Sequence, residues 1–157
     1  MLIILLRISR SMKWKIITIG KPALSWARAA VDDYLHRVQR MIQIEMMPLR
    51  DGTQSQVALR ALDASDGAWR IVLDERGRQL GSVPFAKWIE NQELNSRKCT
   101  AFLIGGADGH PPEVRAAADE TWSLSAMTLQ HELALVVLME QIYRACTILR
   151  GGPYHRP

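Results

Sequence analysis

The sequence predicts an α/β domain, a mostly parallel sheet with helices on both faces. Three observations carry that prediction. Short apolar runs alternate with stretches of helical periodicity along the chain, the order that βαβ units produce. The 157 residues are 48% apolar, enough for one sizeable core and one domain. Two of the apolar runs open directly into segments suited to a ligand: 102–104 into Gly105-Gly106-Ala107-Asp108-Gly109, and 122–124 into Ser125-Ala126-Met127-Thr128-Leu129. In parallel sheets, ligands bind beyond the carboxyl ends of the strands, where both segments lie.

Residues 14–19 form the first predicted strand, closed by Gly20 and Pro22. Leu24, Ala27, Val31, Tyr34, Leu35 and Val38 then recur at helical spacing, with Ser25 as a candidate cap. Residues 42–47 read as a second strand stopped by Pro48, and 50–56 as a polar loop. A short helix over 57–62 ends before Gly67. A third strand spans 69–73, a helix 85–94 with Ser82 as its candidate cap, and a fourth strand 100–104. Pro111 opens a helix over 111–118, where its missing N–H does no harm in the first turn. A short fifth strand at 122–124 precedes a long helix over 130–149, with Gly151-Gly152 just past its end. Trp14, Trp26, Trp69, Trp88 and Trp122 are scattered over strands and helix faces and read as core, not as a base-stacking platform.

The net charge of +4 matters less than its placement. Residues 1–48 hold eight Lys/Arg against three Asp/Glu, 49–140 nine against thirteen, and 141–157 three arginines and no acid. If the two basic ends meet in space they make a positive face suited to a phosphate backbone; a merely solubilising surface is the alternative. Cys99 and Cys146 show neither disulfide nor zinc-ligand spacing and read as reduced core thiols, as expected of a cytoplasmic protein. The apolar start, residues 1–6, is shorter than a signal-peptide core, and residues 1–11 read as an extension ahead of the domain at 12–157. The apolar run at 133–139 is followed by Glu140 and Arg144 and belongs to a core helix, not a membrane span. Leu133, Val136, Val137, Met139, Ile142, Ile148 and Leu149 nevertheless cover more of that helix than one core stripe, which predicts a partner face.

The glycines at 105, 106 and 109 fit neither a dinucleotide fingerprint nor a Walker A loop, and alone they are as consistent with a tight turn. The tail Pro153-Tyr154-His155-Arg156 is basic and carries an aromatic ring and an imidazole, a set suited to an anionic partner.

Four blocks in this order closely resemble the ribosomal RNA large-subunit methyltransferase H family, of the SPOUT class. They are Ile71-Val72-Leu73-Asp74-Glu75-Arg76-Gly77, residues 103–109, residues 122–129, and Tyr143-Arg144-Ala145 with Pro153-Tyr154-His155-Arg156. The resemblance runs from about Met12 to Arg156. It implies a SPOUT-type sheet with a C-terminal trefoil knot, and methylation of N3 of a pseudouridine in 23S ribosomal RNA with S-adenosyl-L-methionine as methyl donor. It implies cofactor contacts at Leu73, Gly105, Leu124, Ser125, Ala126, Met127, Thr128 and Leu129, with no metal. It further implies 23S rRNA in the 50S subunit or 70S ribosome as partner. It implies a homodimer too, in which the tail of one chain lies near the pocket of the other.

Removing the N3 proton calls for a base of near-neutral pKa. His131, His155 and Tyr154 are the candidates, with His155 favoured for contact with the target nucleotide. Arg144 aligns with a family arginine and suits a phosphate or the uracil carbonyl, or else a salt bridge to Glu140 at i, i+4. His36 and His110 are set aside as bystanders, and Asp74 is left out of the cofactor set. The chain departs from the family at Gln130, where proline is common, and at His110, Gly152 and Pro157. The competing readings are a SPOUT methyltransferase of another RNA, such as transfer RNA, and a ribosome-binding protein that has lost catalysis.

Overall fold

The computed structural model describes residues 12–156, so the expectation for residues 1–11 lies outside the described residues. The elements run β1 (Lys13–Ile19), α1 (Ser25–Gln39), β2 (Gln43–Leu49), α2 (Gln54–Ala64), β3 (Trp69–Gln79), α3 (Ser82–Leu94), β4 (Cys99–Ile104), α4 (Pro112–Ala116), β5 (Glu120–Ser123) and α5 (His131–Leu149). The five strands form one sheet in the order β2-β1-β4-β3-β5, and every pairing is parallel. All carboxyl ends therefore share one edge.

Side-chain alternation along the strands sorts the helices. Trp14, Ile16, Ile71, Phe102, Ile104 and Trp122 pack with α1, α3 and α5 on one face. Ile17, Val72, Ala101 and Leu103 pack with Ala58 and Ala61 of α2 and Val114 of α4 on the other. β4 sits between β1 and β3 and is covered on both sides, hence its unbroken apolar run. The larger face is knitted by rings. Phe102 stacks on Trp14 at 5.5 Å and meets Trp122 edge-on at 5.8 Å, while Trp88 meets Trp122 at 4.8 Å. Each such pair contributes roughly 0.5–1.5 kcal/mol beyond area burial. One carboxylate holds the edge of this cluster: Glu120 accepts the indole N–H of Trp69 (3.0 Å), Trp88 (2.9 Å) and Trp122 (2.8 Å), and pairs with Arg78 at 3.2 Å.

Several local expectations need correction. α2 begins at Gln54, inside the predicted polar loop. Thr53 caps it and Gln56 returns the bond to the Thr53 N–H, a reciprocal capping box. Ser25 and Ser82 are not caps: Leu24 and Gly81 precede the helices without a side-chain bond, and the Ser82 hydroxyl donates to Gln141. Trp26 is no core residue, being 51% exposed on the first turn of α1. α4 and β5 are shorter or shifted by one or two residues from their predicted spans.

β3 departs most. It runs on to Gln79, and its pairing with β5 slips between Leu73 and Arg78, both opposite Trp122. The slip pushes residues 74–77 out beyond the sheet edge. Gly77 makes this possible, since a Cβ there would lie 2.6 Å from the Trp122 carbonyl carbon. The bulge delivers Asp74, Glu75 and Arg76 to the same edge as the glycine turn.

Candidate active site

The carboxyl edge of β3, β4 and β5 and the start of α5 enclose a cavity of about 720 Å3. Leu73, Ile104, Leu124 and Leu129 make its apolar wall. Gly105, Gly106 and Gly109 present bare backbone, in a turn closed by the Gly109 N–H donating to the Gly106 carbonyl at 3.0 Å. Gly109 has φ +73°, and a Cβ on Gly105 would lie 2.9 Å from the Gly109 carbonyl carbon, so the turn is tight as well as bare. Asp74, Glu75, Arg76, Asp108 and Arg115 form a charged rim on one side.

The segment after β5 is fixed by its own polar groups. The Ser123 hydroxyl donates to the Ser125 carbonyl at 2.6 Å, and the Met127 N–H donates to the Ser125 hydroxyl at 3.0 Å. The Thr128 hydroxyl donates to the Glu75 carboxylate, tying this segment to the β3 bulge. Gln130 then caps α5, its Oε1 accepting the N–H of Glu132 and of Leu133, both at 2.9 Å. The helix start is thus served by a side-chain cap at Gln130, a position where the resemblance implied proline. The buried Glu132 carboxylate accepts the N–H groups of Ala23 and Leu24, fastening the start of α1 beside the start of α5.

Of the residues assigned to the cofactor, Leu73, Gly105, Leu124, Ser125, Met127, Thr128 and Leu129 line the cavity; Ala126 does not. His131 lines it from the first turn of α5. His110, set aside as a bystander, is buried in the cavity wall with Nε2 3.0 Å from the Leu73 carbonyl. Burial lowers its pKa, so the neutral ring donates its Nε2–H to that carbonyl and braces β3 against the glycine turn. Asp74, also left out, lies in the rim with a nearly buried carboxylate. The missed signal was the run Asp74-Glu75-Arg76 ending at Gly77, which reads as strand exit but is a bulge.

Tyr154, His155 and Arg144 gather elsewhere. The Arg144 guanidinium donates to Glu140 through Nε (3.1 Å) and Nη2 (2.8 Å), covers the Tyr154 ring at 4.8 Å, and brings Nη1 to 3.4 Å from His155 Nδ1. The Tyr154 hydroxyl donates to Glu140 at 3.0 Å and lies 3.4 Å from that of Tyr34. Burial first, then the bonds to Tyr34 and Glu140, raise the pKa of Tyr154, so the phenol keeps its proton at neutral pH and acts as donor or ring, not base. Arg37 lies 5.7 Å from the Tyr143 ring and the Arg150 guanidinium donates to the Met41 carbonyl, so the two basic ends of the chain do meet. None of Arg144, Tyr154 and His155 lines the cavity. His131 and Arg144 are thirteen residues apart on α5, about 20 Å along the axis.

A family model described as "Predicted SPOUT methyltransferase" matches residues 12–155. The Ribosomal RNA large subunit methyltransferase H of Sorangium cellulosum (strain So ce56) is 43% identical over 143 residues, covering 91% of this chain and 99% of its own. That of Thermus thermophilus is 42% identical over 146 residues, covering 93% and 100%. The chain belongs to the ribosomal RNA large subunit methyltransferase H family of SPOUT methyltransferases. A solved structure of TrmJ from Z. mobilis ZM4, 11% identical, shares the fold at a TM-score of 0.51 over 93% of this chain and 72% of that one. Among the described residues of this family member, no cluster of three or more His, Cys, Asp or Glu side chains is placed to hold a metal, and no helix is long and apolar enough to cross a membrane.

Proposed function

We propose that this SPOUT methyltransferase transfers the methyl group of S-adenosyl-L-methionine to N3 of a pseudouridine in 23S ribosomal RNA, carried by the 50S subunit or the 70S ribosome in the cytoplasm. The observation that carries the reading is the cavity where three parallel strand ends meet. Its volume falls within the roughly 300–1,000 Å3 of small-ligand sites. Its apolar wall with bare glycine backbone suits an adenosine, and its charged rim suits a zwitterionic amino-acid chain. Relatives covering the whole of this match are named for ribosomal RNA methylation.

Bound there, S-adenosyl-L-methionine supplies an electrophilic methyl group on a sulfonium. The chain's own residues do the rest. Leu73, Leu124 and Leu129 exclude water around the base of the cofactor, and the Gly105 and 124–129 backbone orients it. The N3 proton must leave before or with transfer. Tyr154 holds its proton, which leaves His155 or His131 to accept the one from N3. Arg144, whose Nε and Nη2 are held by Glu140, would exchange part of that pairing for a phosphate or carbonyl of the target. The distance of about 20 Å between the two groups along one α5 argues for a site shared between two chains, each tail serving its partner's cavity. By the family resemblance, the chain beyond the third strand is read as threading through a loop in a trefoil knot.

The test begins with binding. Cofactor at 100 times its Kd should stabilise the fold by about 2.7 kcal/mol in a thermal melt. Ribosomes lacking the modification are then treated with enzyme and cofactor, and the rRNA is mapped by mass spectrometry. One added methyl on a pseudouridine base is the expected product; a methyl on a ribose or on transfer RNA overturns the assignment.

A further inference from the structure

The rim of the cavity is not uniformly charged, and its two arginines are used differently. Asp74 is nearly buried, with its side chain 10% exposed. It accepts from Arg76 three times: from the backbone N–H at 3.0 Å, from Nε at 2.9 Å and from Nη2 at 3.0 Å. That fork is spent. Arg115 reaches the same carboxylate through Nε at 3.4 Å. Its Nη2 lies over the glycine turn, 3.4 Å from where a Cβ on Gly109 would be. Among the described residues Asp74 is the one acceptor that Arg115 pairs with.

Two of the other charged groups in the rim are acids, and the buried histidine is committed. Glu75 is engaged by the Thr128 hydroxyl, and Asp108 is itself an acid. His110 turns its Nε2 to the Leu73 carbonyl and is kept neutral by burial. Of the two rim guanidiniums, Arg115 is therefore the one with its Nη donors still to offer a carboxylate, beside the bare backbone of the glycine turn.

We propose that Arg115, steadied by Asp74, binds the α-carboxylate of the cofactor's amino-acid chain and so fixes which end of the cavity that chain occupies. The proposal rests on the reading of S-adenosyl-L-methionine as cofactor. A guanidinium whose Nε is tied back and whose Nη pair faces a ligand is preorganised for two parallel bonds to a carboxylate. Asp74 is a positioning residue: it sets the plane of the Arg115 fork and touches no ligand.

Calorimetry with two probes separates the possibilities. S-adenosyl-L-methionine carries the carboxylate; decarboxylated S-adenosylmethionine keeps the sulfonium, adenosine and amine but lacks it. The native chain should favour the first by roughly 10- to 100-fold, the worth of a hydrogen bond to a charged group. Arg115→Ala should lose that preference, binding the first probe as weakly as the second while the second changes less than about twofold. Arg115→Lys should recover part of the loss, since it restores charge but not the fork. Lys87→Ala, on α3 and outside the cavity lining, should keep the preference. Circular dichroism melts of each variant without ligand check that the fold survives. Equal weakening of both probes by Arg115→Ala, or no weakening of either, overturns the assignment, as does a native chain that does not distinguish them. Binding of neither probe by the native chain would instead sink the cofactor reading on which the proposal stands.

Discussion

Gly105 shows how much one missing Cβ decides. Gly105→Ala places a methyl 2.9 Å from the Gly109 carbonyl carbon, a backbone atom with no rotamer to yield. The expected cost is about 1–3 kcal/mol of stability, because the turn must open, and loss of the cofactor-induced rise in melting temperature. Melts with and without S-adenosyl-L-methionine check both. Asp74 gives a second prediction, in pH. The Arg76 hydrogen bonds hold its carboxyl below the usual range, against burial, which acts the other way. A folded pKa below the unfolded one contributes stability that is complete above the unfolded value, about 4, and lost as pH falls through the folded one. The urea midpoint of the native chain should therefore drop between about pH 5 and pH 3 more steeply than that of Asp74→Asn. Equal slopes would mean that the Arg76 and Arg115 contacts contribute nothing in solution. Gly105 and the 124–129 segment were singled out by the family resemblance, since the glycines alone are as consistent with a tight turn; the fold adds that Gly105 and most of that segment line one cavity. His110 and Arg115 were not, because their roles depend on which backbone atoms the fold brings beside them.

At the scale of elements, β5 leads straight into residues 124–129, so whatever holds β5 holds the segment proposed to carry the cofactor. Glu120 does much of this, with three indole donors on two oxygens. Glu120→Gln keeps the size but leaves one accepting oxygen and turns an N–H₂ toward a donor. At least one buried indole N–H then lacks a partner, for about 1–3 kcal/mol. A lower chemical-denaturation midpoint, a shift in tryptophan emission and weaker cofactor binding should appear together; unchanged stability would show that the indoles find water instead. The order of strands and helices was readable from periodicity, because the apolar runs of β1, β3 and β4 carry buried residues on both faces of the sheet. The bulge in β3 was not. Residues 74–79 are all polar or Gly, a pattern that says loop, and only the close approach of Gly77 to β5 makes them strand. The early start of α2 was legible in principle, since Thr53 and Gln56 stand at capping-box spacing, but the polar residues around them read as loop. Thr53→Ala should cost about 1 kcal/mol, read from a melt.

For the whole molecule, the question is what covers α5. The apolar surplus read from its sequence is smaller in the fold, because Met139 and Ile142 are fully buried against α1, α3 and the sheet. Val136, Ile148 and Leu149 also pack partly on that core. What stays open is a patch at the other end: Leu133 at 36% exposure, with Leu24 at 40% and Trp26 at 51% held nearby by the Glu132 bonds to the start of α1. An exposed tryptophan with two leucines beside the cavity mouth is the composition of an interface core. Pairing of two chains over a surface that includes this patch is the form the proposed shared site would take. The native chain should sediment at about twice its 17.7 kDa mass at micromolar concentration. Trp26→Glu with Leu133→Asp should shift it to monomer and abolish RNA methylation, while S-adenosyl-L-methionine binding persists because the cavity belongs to one chain. Mixing a tail-truncated chain ending at Gly152 with a Gly105→Ala chain sharpens the test. Each alone is inactive, but their heterodimer carries one intact cavity facing one intact tail, so partial activity is expected. No activity in the mixture, with heterodimers shown to form, would mean that each tail serves its own cavity.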